Sequence, residues 1–317
     1  MTNRIKAIAF ALLNCYFIIN VSAQDSEIKI NYTINTNKNV DFNYEKNDLG
    51  SYTINLKFTN LINSSNAIEQ HFTVKSYSGH FLTLSPQNKD QGVGFAYQYS
   101  YIRGKLNPKY NAGFVYLLPC KKHKKVMVAD VAFVGARFLG KTTPEDWKVY
   151  FFYTPNEDTV TAVRKGLVVE VKDLYETEAS ADLAYKSNVN EIIVEHEDGT
   201  LATYRGFKKG SVVVKLGQTV LPGTTLGLNS KFSINYSFGI TLLVTYLKSI
   251  DIESSRDTQN SKSLYGFVDP HFCTAENANT TLTAQQEYTE ADTPEIVGKE
   301  LTKKELKQLI NKDGSGL

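Results

Sequence analysis

The chain has little of the material from which metal centres are built. Its 317 residues hold only five histidines, His71, His80, His123, His196 and His271. A catalytic zinc needs three protein donors and one open position for water. No His-x-His, His-x-x-x-His or His-x-x-x-Asp spacing occurs between residues 126 and 250. Excess charge of one sign is also missing. The formal net charge is +2, and loss of the first 23 residues removes Arg4 and Lys6, leaving Lys+Arg and Asp+Glu equal at 33 each. That balance gives no support to nucleic-acid binding. No Gly-x-x-x-x-Gly-Lys-Ser/Thr motif and no Gly-x-Gly-x-x-Gly in a strand-to-helix context is present, so the glycines at 104, 140, 166, 199, 210, 217, 223 and 227 read as turn residues with positive φ. No nucleophile motif is visible either.

Long apolar runs are confined to the start. Arg4 and Lys6 precede the apolar stretch Ala7 to Val21, and Val21-Ser22-Ala23 is a small-residue cleavage site before Gln24. Residues 1–23 therefore read as a cleaved signal peptide and the protein as exported, periplasmic or extracellular. Asn14 and Asn20 interrupt the run, which suits a leader better than a spanning helix, and no later stretch reaches the length of a membrane span. Asn14 before Cys15 disfavours a lipoprotein signal. Cleavage leaves Cys120 and Cys273. In an exported protein these are either one disulfide, closing a loop of about 150 residues worth roughly 4–5 kcal/mol, or two separate buried thiols.

What the chain has in quantity is aromatic and β-branched residues, with 19 Tyr and 17 Phe. They fall in short alternating runs such as Ile28-Lys29-Ile30-Asn31-Tyr32-Thr33-Ile34 and Ser51-Tyr52-Thr53-Ile54-Asn55-Leu56-Lys57-Phe58, separated by Asn, Asp, Gly and Ser clusters. This is an all-β pattern. Residues 24–125 are expected to form an N-terminal β-sandwich, with Phe95 to Ile102 and Ala112 to Leu118 as its last strands. Residues 126–250 are expected to form a second sheet domain. Residues 251–317 are rich in Ser, Asn, Thr, Asp and Glu and are expected to form a loop-rich polar tail. Within it Thr302-Lys303-Lys304-Glu305 is a capping box, predicting one short helix ending near Asn311. Lys121, Lys122, Lys124 and Lys125 around His123 read as a solvated turn.

The segment from Asn190 to Leu228 carries a specific arrangement of turns. His196-Glu197-Asp198-Gly199 is followed by Tyr204-Arg205-Gly206-Phe207, then by Lys215-Leu216-Gly217, Val220, Gly223 and Leu226-Gly227. Upstream, Tyr153-Thr154-Pro155 leads through Val160, Ala162 and Val163 into Gly166-Leu167-Val168-Val169-Glu170-Val171. Over residues 145–247 this resembles the lysostaphin/LytM-type zinc endopeptidases, which cut peptide cross-links of bacterial cell walls. The resemblance implies an antiparallel sheet of open-barrel form. It places the family's first two zinc ligands at Trp147 and Phe151, its catalytic histidine at Gly206, and its third ligand on the histidine-free stretch 239–247. Tyr99 to Gly104 with Tyr116-Leu117-Leu118-Pro119 resembles, more weakly, the β-domain that precedes LytM-like domains in some exported bacterial proteins.

Aromatic rings and glycine offer a metal nothing, so the expected cofactor and metal content is none. The expected function is a degenerate, non-catalytic LytM-like domain that binds a peptidoglycan peptide or an envelope protein. The alternatives are an active zinc endopeptidase with displaced ligands and a purely structural envelope module. Trp147, Phe151, Phe152 and Tyr153 either pack the core or line a groove, and Trp147 and Phe151 are expected to fill the space of the missing metal site. Tyr153, Tyr204 and Arg205 are the candidate binding residues. His196 beside Glu195, Glu197 and Asp198 suggests a ligand cluster, but neighbours on a strand point to opposite faces, and the run reads as a hairpin turn.

Overall fold

The computed structural model describes residues 28–131, 143–176, 188–232, 238–252 and 263–307. The expected signal peptide and the end of the expected C-terminal helix lie outside the described residues.

Alternation dictates the first unit. In β2 (Val40–Lys46) the residues Val40, Phe42 and Tyr44 are buried, and in β3 (Tyr52–Ile62) so are Tyr52, Ile54, Leu56 and Phe58. One three-stranded sheet runs in the order β1 (Ile28–Ile34), β2, β5 (Ser78–Leu84). The other runs β4 (Glu69–Val74), β3, β6 (Gly94–Arg103). Their inner faces meet through rings such as Phe42 and Phe58, 5.9 Å apart and edge to face. Such offset aromatic pairs are favoured over flat stacking. The β-sandwich expected from the sequence is present but ends near residue 104. Phe114, Tyr116 and Leu118, expected on the strand that closes the sandwich, and Cys120 just after it belong to the second core instead.

Among the described residues, ten strands form the second sheet. Its order is β14 (Thr219–Val220), β11 (Gly166–Lys172), β12 (Glu191–Glu195), β13 (Leu201–Arg205), β17 (Phe238–Leu247), β9 (Tyr150–Thr154), β8 (Lys125–Asp130), β20 (Glu287–Thr289). The strands β16 (Ser230–Lys231) and β18 (Tyr265–Phe267) both pair with β17. All of these pairings are antiparallel, and the sheet has two ends, so it is open. One face is continuous core: Ile192, Val194, Ala202, Tyr204, Ile240, Leu242, Val244, Tyr150, Phe152, Val126 and Val128 are all buried. It is covered by two small ribbons, β10 (Thr159–Thr161) with β15 (Thr225–Leu228), and β7 (Val115–Tyr116) with β19 (His271–Phe272), the second parallel.

The segment after residue 251 is not the polar tail its composition suggests. It supplies β18, β19 and β20, and Val268, Phe272, Cys273, Leu282 and Val297 are buried. A short helix, α1 (Pro294–Gly298), starts at the N-cap Thr293, whose hydroxyl accepts from the N–H of Ile296. The capping box is formed: the Glu305 N–H reaches Thr302 Oγ1 at 3.3 Å, and the Thr302 N–H reaches Glu305 Oε2 at 2.7 Å.

Two polar assemblies fix these parts. At the seam between sandwich and sheet, the Ser51 N–H and hydroxyl donate to the two oxygens of buried Glu195, at 2.6 and 2.5 Å. Arg103 lies between Asp48 at 3.4 Å and Glu170 at 3.6 Å. At the far end Arg164, only 3% exposed, pairs with Asp198 at 2.8 Å and holds Glu300 through Nε at 2.9 Å and Nη2 at 2.5 Å. Its guanidinium lies 3.8 Å over the Phe114 ring. Beside it, the Thr200 hydroxyl donates to Asp198 Oδ1, so His196 Nδ1 must carry the proton that it gives to Thr200. Burial, and then the nearby Arg164 charge, hold His196 neutral, its pKa down to about 3. The turn expected beside this histidine is present at residues 197–199.

Arg164→Met should destabilise the protein by about 3–5 kcal/mol, because it strands Asp198 and Glu300 without their shared cation. Urea unfolding measures this, and an unchanged midpoint would show that these pairs carry no weight.

Candidate functional site

The outer face of the second sheet is where the sequence places its candidate residues. Strand alternation decides which of them arrive there. The register brings Glu191, Arg205, Thr241, Phe151 and Ala129 into one row across β12, β13, β17, β9 and β8. All five are half-buried. The next row on this face contains Gly239, Tyr153 and Met127.

Phe151 and Tyr153 lie on β9, which pairs with β17. The Phe151 ring packs against Gly239, so closely that a Cβ there would clash with its Cζ and Cε2 atoms. The ring packs 4.7 Å from Phe232 and is stacked 6.0 Å from Tyr153 at 17°. Gly206 adjoins the same spot. Its φ is +108°, and a Cβ on it would sit 3.4 Å from the Gly239 carbonyl oxygen. The backbone there needs glycine, because L side chains rarely adopt that conformation. Phe151, Gly206 and the 239–247 strand thus converge on Gly239.

Trp147 is placed elsewhere. Its indole N–H donates to the Val131 carbonyl at 2.7 Å and its ring packs 4.7 Å from Phe267. Both Trp147 and Phe151 are half-buried, so they cover the surface rather than filling a sealed cavity. Tyr204 must be removed from the candidate groove. It neighbours Arg205 on β13 and therefore points to the opposite face, where it is fully buried and its hydroxyl accepts from the Val163 N–H at 2.8 Å. Burial pushes its phenol well above the ordinary range. Phe152 likewise points into the core, against Phe272.

The electrostatics of the outer face come from a chain of ions. Glu170 and Glu191 flank Lys172 at 3.5 and 2.7 Å, and Glu191 reaches Arg205 Nε at 3.1 Å. The hydrogen bond from Lys172 to Glu191 raises the lysine pKa. Among the described residues, no group of three or more His, Cys, Asp or Glu side chains lies close enough to hold a metal ion. The aromatic ring over Gly239 has no lone pair to offer, so the residues present here do not fit a zinc site. Phe232, Glu191 and Lys172 were not legible as site residues in the sequence, since only the strand register brings them to this face.

The cysteines form no bridge. Cys120 packs in the main core and Cys273 against Leu117 and Val297, and both are free buried thiols. Burial raises both thiols. The carboxyl of Glu290, 2% exposed, is felt by both and has one oxygen, Oε2, without a hydrogen-bond partner among the described residues. Burial first, then Asp292, pushes its pKa up to about 7. The lysine-rich turn is neutralised locally, by Lys122 with Asp292, Lys124 with Asp158 at 3.3 Å and Lys125 with Glu287 at 2.8 Å.

Two outcomes follow from these placements. Phe151→Ala removes a half-buried ring and uncovers the Gly239 backbone, and should cost about 1–3 kcal/mol, below the roughly 3–5 of a fully buried phenylalanine. A thermal melt identical to the parent's would mean the ring does not hold this surface. Glu290 binds its proton more tightly in the folded state, with a pKa of about 7 against an ordinary 4.5. Its contribution is therefore full below pH 4.5 and is lost as pH rises through 7. Glu290→Gln, which stays neutral, should melt higher than the parent at pH 8 and close to it at pH 4.5. Equal gaps at both pH values would contradict the shift.

No protein-family model matches the chain, and no curated protein matches it. Among solved structures it is similar to a candidate peptidase M23 from Pseudomonas aeruginosa, with 11% identity and a TM-score of 0.28, over 61% of this chain and 82% of that one. It is also similar to a zinc-containing peptidase from Vibrio cholerae, with 13% identity and a TM-score of 0.24, over 68% of this chain and 74% of the other. Likeness at these values assigns neither a family nor an activity to the chain.

Proposed function

We propose that this chain is an exported, LytM-like scaffold without peptidase chemistry, which binds a cell-wall peptide or an envelope protein on the outer face of its second sheet. The observation that carries this reading is the Phe151 ring seated on Gly239, with Phe232 and Tyr153 beside it, at the point where the resemblance calls for zinc ligands. Gly206 adds to it: the position that would carry a catalytic histidine has a φ of +108°. The turns on which the resemblance rests support the scaffold part. Gly199, Gly217 and Gly223 all have positive φ, at 89°, 80° and 78°. A sequence that drifted from an active ancestor would keep such glycines, because the backbone requires them whether or not chemistry survives. A concave or flat face with aromatic rings and a few unsaturated polar groups is suited to holding an extended peptide.

Metal-replete purified protein is expected to contain far less than one equivalent of zinc and to leave cross-linked wall peptides uncut. It is expected to co-sediment with isolated cell-wall sacculi or with an envelope protein. One equivalent of tightly held zinc, with cleavage that a chelator blocks, would overturn the proposal in favour of a peptidase with displaced ligands.

A further inference from the structure

Arg205 ends β13, immediately before the turn that Gly206 makes. Its side chain is 31% exposed. Its one ion-pair partner among the described residues is Glu191, 3.1 Å from Nε, and that nitrogen, closed off from solvent, has no acceptor in hydrogen-bonding geometry. Glu191 has a shorter partner, accepting from Lys172 at 2.7 Å. The guanidinium is therefore held in place at one edge while its hydrogen-bonding capacity within the described protein is unspent. The other N–H groups of this partly exposed side chain have no acceptor among the described residues and can exchange water for one that arrives. The acceptor that suits a planar fork of N–H groups is a pair of coplanar oxygens carrying negative charge, which is a carboxylate.

The same row continues to an apolar shelf. Arg205 is in register with Thr241, and Thr241 with Phe151. Adjacent strands lie about 4.8 Å apart, so Phe151 is about 10 Å from Arg205 across the sheet. An extended peptide advances about 3.3 Å per residue. A carboxylate on Arg205 thus puts the side chain two or three residues earlier over the Phe151, Tyr153 and Phe232 rings. The acidic groups on this face are met by more than one cation, Glu170 by Lys172 and Arg103 and Glu191 by Lys172 and Arg205, so they do not set a net negative field against an incoming anion.

We infer that this row is a subsite for the free C-terminal carboxylate of a short extended peptide, read by Arg205, with an apolar side chain of the same peptide resting on Phe151. The inference rests on the binding role proposed above and adds the chemistry of the ligand. Capture of a peptide end by fixed donors is an established recognition mode, and it discriminates a free terminus from the same sequence within a longer chain.

The test is calorimetric titration of the mature full-length protein with three peptides: N-acetyl-Leu-Ala-Ala as the free acid, its C-terminal amide, and N-acetyl-Leu-Ala-Glu amide. The free acid should bind at least about tenfold more tightly than its amide, the scale of one charge-assisted pair. Arg205→Gln and Arg205→Lys, both checked for parental melting, should bring acid and amide to the same affinity, the lysine because it lacks the fork. Phe151→Ala should weaken the acid and its amide while keeping the preference between them. Equal affinities of acid and amide in the parent protein, or no binding of either, overturn the inference without any variant. A glutamate amide that matches the free acid overturns the assignment to a chain terminus. Zinc with chelator-sensitive cleavage topples the non-catalytic reading whatever the peptides do, whereas equal acid and amide affinities in zinc-free protein topple only this subsite.

Discussion

A single buried guanidinium ties together parts of the chain that are far apart in sequence. Arg164 faces Asp198 from the β12–β13 turn, Glu300 from the C-terminal segment and the ring of Phe114 from the connection out of the sandwich. The net worth of a buried ion pair is modest, because desolvation offsets attraction, but its geometric demand is strict. The same cluster bears on His196. Burial first, and then the permanent cation beside it, keeps the imidazole neutral, and it serves as a donor to Thr200.

The second sheet is asymmetric. The two ribbons and part of the C-terminal segment cover one face, and side chains from Phe114 to Leu282 make one core there. The other face is left with half-buried rings and a short series of alternating charges. Its rings gather where Gly239 has no side chain, and its charges gather where Lys172, Glu191 and Arg205 are in neighbouring strands. The seam to the sandwich closes on the same strands, through Glu195 on β12 and Glu170 on β11. The sandwich is thereby fixed to the sheet through buried hydrogen bonds as well as apolar contact.

Much of this was legible in the order of residues. Period-two alternation located β1 and β3, and the glycines at 104, 199, 210, 217 and 223 marked turns with positive φ, whereas Gly166 and Gly227, read in the same way, lie within β11 and β15 without it. The capping box at Thr302 was readable because it is a local device whose partners are three residues apart. The errors are of the opposite kind. Composition alone made residues 251–317 a polar tail, yet single apolar residues such as Val268, Phe272 and Leu282 suffice when each is placed in an existing core. The sandwich boundary was misjudged because Phe114 to Cys120 carry a strand-like pattern that does not say which sheet they join. Tyr204 and Arg205 were taken together as groove residues, although neighbours on a strand cannot share a face. Phe232, Glu191 and Lys172 were invisible because strand register is a property of the whole sheet.

The pairing of β20 with β8 has a consequence for how the chain is made. Met127 is in register with Glu287, so the last edge of the second sheet waits for residues synthesised long after its own. The sandwich, whose strands are close neighbours in sequence, has every partner it needs once residue 103 has emerged. Contacts between distant residues slow folding, because the entropy of closing a long loop must be met before the contacts reward it. Synthesis from the N-terminus therefore produces a finished first unit carrying an incomplete second one, and a ribosome that stops short of residue 287 releases a molecule with an open, strand-hungry flank.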